Sequence, residues 1–147
     1  MYLLMSKLFP TIRGMEFIKL YALSFASLLA LDAVWLTKVS PKFYKSNIGQ
    51  FMTDKPNLLA AGLFYALYIV GLVVFVVQPA VGEKSLAFAA TRGALFGAVA
   101  YATFDLTSLA VFKDWPVKVT VVDMLWGTIL TAGVCTLATW LFLRFFS

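Results

Sequence analysis

The chain predicts an all-α polytopic membrane protein, an antiparallel bundle of four transmembrane helices. Of its 147 residues, 62% are hydrophobic and only 13% charged. Mean hydropathy is +0.90. Apolar runs of about twenty residues or more recur four times, separated by stretches that hold Lys, Pro and Gly. A soluble domain of this size buries too little of its surface to hide so much apolar area, so lipid has to act as solvent for the remainder.

The segment over residues 1–14 carries Lys7, Pro10 and Arg13 around an apolar stretch too short to span. It has no small-residue cleavage pattern and is expected to be a mobile tail, with Met15 reading as a natural start. Residues 15–147 then form one four-helix domain. The first helix is expected over 16–37, long enough to cross a hydrocarbon core of about 30 Å at about 1.5 Å per residue. Lys38, Pro41, Lys42, Lys45, Gly49, Lys55 and Pro56 mark residues 38–57 as a polar connection, and Phe43, Tyr44 and Phe51 place it along the membrane interface. A second helix, 58–77, has no charged residue and is expected to stop at Gln78-Pro79. The third covers 86–112 and the fourth 117–143, joined by Lys113-Asp114-Trp115-Pro116. Short connections predict antiparallel neighbours.

Net charge is +5, with Lys and Arg clustered at the ends of apolar runs. There they complement head groups and set topology; no basic stripe interleaved with aromatics remains for nucleic acid. Without histidine, and with Cys135 alone inside an apolar run, the chain has no signature of haem, zinc, Ser-His or disulfide chemistry. No cofactor and no metal site is expected. Gly93 and Gly97, extended by Ala90, Ala94, Ala98 and Ala102, form a small-xxx-small stripe. It reads as packing within the bundle, with a homo-oligomer face through Gly93/Gly97 as the alternative.

Three aspartates fall inside predicted spans: Asp32, Asp105 and Asp123. Alternating helix directions bring the ends of the first and third helices and the start of the fourth to one membrane face. All three carboxylates then lie roughly 7 to 10 Å inside that boundary. Tyr65 and Tyr68 of the second helix, Tyr101, Thr107 and Trp126 reach the same layer and can donate hydrogen bonds that lipid cannot. An isolated carboxylate in hydrocarbon costs several kcal/mol on the milder estimates, so three at one depth are expected to titrate as a coupled group. The functional reading is a polar pocket open to one face, taking a proton, a cation or a solute amine; the bland reading is interhelical hydrogen-bond glue.

These residues also carry a resemblance. Asp32-Ala33-Val34-Trp35-Leu36, Phe64-Tyr65-Ala66-Leu67-Tyr68, Tyr101 to Thr107, Trp115-Pro116 and Asp123 to Thr128 are similar to the bacterial inner-membrane proteins of domain-of-unknown-function family 2177. The chain departs from that pattern at Thr37 and Ser108, where relatives commonly place Gly and Asn. The resemblance implies a four-span protein of a bacterial inner membrane and supplies no activity. Three classes of function stay open: proton- or cation-linked small-solute transport, an accessory subunit whose aspartates hold the bundle, and a membrane-embedded lipid-modifying enzyme. The last lacks a nucleophile elbow, a metal-ligand set or a phosphate loop. Lys7, Arg13, Lys19, Lys84, Arg92 and Arg144 balance Lys38, Lys42, Lys45, Lys55, Lys113 and Lys118 across the two faces. A start at Met15 tips the balance to both termini outside.

Overall fold

The computed structural model describes residues 14–147, in which every regular element is a helix. Helix α1 covers Gly14–Val34, passes through a wide turn at Trp35–Val39, and resumes as α2, Ser40–Ile48, closed by a 3-10 turn at Gly49–Phe51. Helix α3, Leu58–Leu72, likewise runs through a wide turn at Val73–Val77 into α4, Gln78–Gly82. Helices α5, Leu86–Val111, and α6, Val117–Phe145, complete the chain. Four stretches, Gly14–Phe51, Leu58–Gly82, Leu86–Val111 and Val117–Phe145, are long and apolar enough to cross a membrane. The tail expected over residues 1–14 lies outside the described residues except for Gly14, which opens α1.

Local chemistry starts these helices where the sequence says it should. The Asn57 side chain accepts from Ala60 N–H at 3.1 Å and Ser85 accepts from Phe88 N–H at 3.1 Å, each satisfying an amide that the first helical turn leaves unpaired. Pro116, which has no N–H to leave unpaired, precedes α6.

Proline does not stop the first two spans, contrary to expectation. The connection over 38–57 is helical as far as Phe51, and the second span continues through Gln78-Pro79 to Gly82. Pro41 and Pro79 each sit two residues beyond a π-turn, in which Ser40 N–H reaches Trp35 C=O and Gln78 N–H reaches Val73 C=O. In a regular helix a proline ring collides with the carbonyl four residues before it. An extra residue in the preceding turn moves that carbonyl aside, so the helix continues in apolar surroundings without a stranded backbone group.

The inserted residue also sets phase. It rotates everything beyond it by about 100°, so residues twelve positions apart lie about 20° apart on the helix surface instead of about 120°. Tyr68, Leu72, Val76 and Ala80, with Ile69, Val73 and Val77 beside them, therefore stay on one buried stripe. The same shift aligns Tyr44 with Asp32.

The tightest seam is α5 against α6, with α1 packed next on α6. A Cβ on Gly93 would meet Thr131 O at 3.0 Å, and one on Gly97 would run into the backbone carbonyl of Gly127. Both glycines are buried there. The stripe is thus taken up inside the bundle, where α6 occupies the surface that a homo-oligomer face through Gly93/Gly97 would need.

Helix α3 meets α5 near Phe96, whose ring lies against Gly71 and 5.8 Å from the Tyr68 ring. Toward its start α3 stands away from the bundle: Leu58, Leu59, Leu63, Phe64 and Leu67 are all exposed. The result is a V between α3 and α5 that opens toward the aspartate end.

Candidate functional site

Asp32 closes the last turns of α1 and is 5% exposed. Its Oδ1 accepts from the Trp126 indole N–H at 3.2 Å, and its Oδ2 from the Tyr65 hydroxyl at 3.4 Å. One turn further on, the Trp35 ring stacks on Trp126 with centroids 4.6 Å apart and planes 10° from parallel. The indole is thereby held by its face while its N–H is aimed at the carboxylate.

Asp123, in the second turn of α6, accepts from the Tyr44 hydroxyl. Tyr44 is the functional residue that sequence reasoning left outside the layer, having placed it in an interfacial connection. Its position follows from the π-turn that precedes Pro41, and a proline within an otherwise helical run was the available signal. Replacing Tyr44 by Phe is expected to destabilise the bundle by about 1 kcal/mol, the size of one interhelical hydrogen bond. Thermal unfolding of the two proteins in the same detergent checks this; an unchanged midpoint would mean that the hydroxyl holds nothing.

Asp105 of α5 is fully buried, and neither carboxylate oxygen has a hydrogen-bond partner. Its backbone is fixed nonetheless: Thr120 Oγ1 donates to the Asp105 carbonyl at 3.3 Å and itself accepts from the Trp115 indole N–H at 3.1 Å. Asp123 interacts electrostatically with both other aspartates, so the three form a string with Asp123 in the middle.

Two spaces meet at this string. The smaller, about 150 Å³, is lined by Asp32, Trp35, Tyr44, Tyr65 and Trp126. The larger, about 530 Å³, fills the V between α3 and α5 and is lined by Phe64, Phe104, Asp105 and Thr107. Tyr101 and Asp123 line both and form the wall between them. Tyr101 can stand there because position 127 is glycine: a Cβ on Gly127 would overlap the Tyr101 ring.

The remaining expected members fall differently. The Tyr68 and Thr131 hydroxyls are 2.5 Å apart, and Thr131 Oγ1 donates to Gly127 C=O at 2.6 Å, so the Tyr68 proton goes to Thr131 and not to a carboxylate. Thr107 lines the larger space, but its hydroxyl donates to the Thr103 and Phe104 carbonyls of its own helix. Among the described residues no group of three or more His, Cys, Asp or Glu side chains is arranged to hold a metal ion.

Four spans, with a string of buried carboxylates near one end of an otherwise apolar core, define a polytopic membrane protein. The chain belongs to the family described as predicted membrane protein (DUF2177), whose sequence model matches residues 17–141. No curated protein and no solved structure matches it.

Proposed function

We propose that the protein binds a proton or small cation at the Asp32–Asp123–Asp105 string and couples it to the movement of a small solute. The observation that carries this reading is Asp105, a fully buried carboxylate without any donor from the protein. A carboxylate kept only for interhelical glue would be hydrogen-bonded, as Asp32 and Asp123 are. A charge-bearing side chain in a span that lacks a protein partner is a place for something that comes and goes.

Proteoliposomes loaded with a pH-sensitive dye and driven by a potassium diffusion potential test it. Proton uptake above that of empty vesicles is expected, falling roughly tenfold in Asp123→Asn. Uptake unchanged when Asp32, Asp105 and Asp123 are each replaced by Asn removes the reading. The Asp32 and Asp123 bonds favour a second one, an accessory subunit held together by these contacts; it expects all three Asn variants to keep whatever activity the cell shows.

For location we propose a bacterial inner membrane with both termini outside. Counted from a start at Met15, which leaves out Lys7 and Arg13, Lys38, Lys42, Lys45, Lys55, Lys113 and Lys118 at the aspartate end outnumber Lys19, Lys84, Arg92 and Arg144 at the other, which favours the aspartate end as cytoplasmic. The native Cys135 is buried, so introduced cysteines can be read against a low background. A membrane-impermeant maleimide should label Ser147→Cys in intact cells and Lys45→Cys only after the cells are opened; the reverse pattern would invert the topology.

A further inference from the structure

The space between α3 and α5 has walls of one kind and polar groups of another. Phe64, Ala100 and Phe104 give it apolar sides, and Phe64 and Phe104 are 54% and 57% exposed, so these sides run out onto the lipid-facing surface of the bundle. Because α3 packs on α5 only from the level of Phe96 downward, the opening is lateral, between two helices, and lies at the depth of the aspartate layer.

Apart from the Tyr101 hydroxyl, its side-chain polar groups are acceptors. The Thr103 hydroxyl donates to Val99 C=O at 2.8 Å and the Thr107 hydroxyl to two carbonyls of the same helix, so each presents lone pairs only. Asp123 already takes a proton donor from Tyr44 on its other side. Asp105 borders the space with no accessible surface and two oxygens that no donor reaches, so an occupant meets Asp123 first and reaches Asp105 as a neighbouring side chain shifts. An acceptor-lined, apolar-sided slot in lipid is complementary to a group with several N–H donors, a positive charge and an apolar body.

We propose that this lateral chamber binds a primary ammonium amphiphile, its nitrogen at Asp105 and Asp123 and its chain along Phe64 and Phe104. This rests on the reading of the aspartate string as a cation-accepting site and names the class of molecule it accepts. A primary ammonium fits where a quaternary one does not, because three N–H groups can satisfy carboxylate and threonine lone pairs while methyl groups cannot. The aromatic rings at the mouth add a favourable field for the cation as it enters. The shared chemistry is a protonated primary amine on an apolar chain, either a free alkylamine or the head group of an aminophospholipid.

Native mass spectrometry of the full chain, released from a non-ionic detergent, can count bound dodecylammonium, dodecyltrimethylammonium and dodecanol. Dodecylammonium is expected to bind roughly tenfold more tightly than the other two, and Asp105→Asn to abolish that preference. Equal binding of the three probes by the unaltered protein would overturn the proposal, and that comparison needs no variant to fold. Retention of the full preference in Asp105→Asn would overturn it as well. Discs of phosphatidylcholine with and without phosphatidylethanolamine separate the sources. Weakened dodecylammonium binding in the second lipid's presence assigns the amine to a head group, and unchanged binding assigns it to a free amine. Amine selectivity without proton uptake in the liposome assay would end the transport reading and leave the chamber; proton uptake without amine selectivity would do the reverse.

Discussion

Alanine at Gly97 or Gly127 is expected to destabilise the bundle by about 3 kcal/mol, with alanine at Gly62 as the neutral control. At Gly97 the new methyl would press on the backbone carbonyl of Gly127 and on the Thr131 side chain. A carbonyl in a helix cannot rotate away, so α5 and α6 have to separate, and the most extensive seam of the fold loses contact along its length. At Gly127 the methyl meets the Tyr101 ring near its attachment to Cβ, where the ring has little freedom to swing aside. Gly62 has nothing within 4 Å, and alanine there should be neutral or gain up to about 1 kcal/mol from helix propensity. Unfolding midpoints in one detergent would show the contrast. If Gly97→Ala unfolds at the same temperature as Gly62→Ala, the α5–α6 contact is looser than the geometry described here. Gly127→Ala carries a second consequence, since the wall between the two spaces is the Tyr101 ring. A displaced ring should join the spaces and weaken selectivity for the amine even in protein that remains folded.

How much of this was legible in the sequence differs by the kind of signal. The start of α3 at Leu58, of α5 at Leu86 and of α6 at Val117 followed from where the apolar runs begin, and Asn57, Ser85 and Pro116 stand at those starts because capping is local chemistry. That Asp32 and Asp105 would each share a space with Asp123 was within reach of counting residues along spans of fixed rise. What could not be counted was rotation. Hydropathy along the chain is blind to helical phase, and a proline read as a stop hid two π-turns, and with them the alignment of Tyr44 with Asp32. Partner choice was also hidden. Tyr68 and Tyr65, three residues apart on one helix, both looked fit to donate to carboxylates; Tyr65 does so, while Thr131 captures Tyr68 from across the bundle. Gly93 and Gly97 read as a stripe for packing within the bundle, and the helix they pack on is α6.

The sign of one substitution separates a working carboxylate from a structural one. Asp105→Leu is expected to stabilise the bundle by about 1 to 3 kcal/mol, and Asp32→Leu to destabilise it by a similar amount. In Asp32→Leu the Trp126 N–H and the Tyr65 hydroxyl lose their acceptor, and the two helices that carry them lose a tie to α1. In Asp105→Leu no donor is abandoned, because none was bonded to either oxygen, and a buried polar group that costs desolvation is removed. A residue that weakens the fold where it stands, and whose removal strengthens it, is kept for what it binds. Equilibrium unfolding of both variants, with amine binding measured beside it, decides the matter. Asp105→Leu should gain stability and lose the dodecylammonium preference together. A loss of stability on a par with Asp32→Leu would mean that the Asp105 carboxylate braces the bundle after all, and the layer would then be interhelical glue throughout.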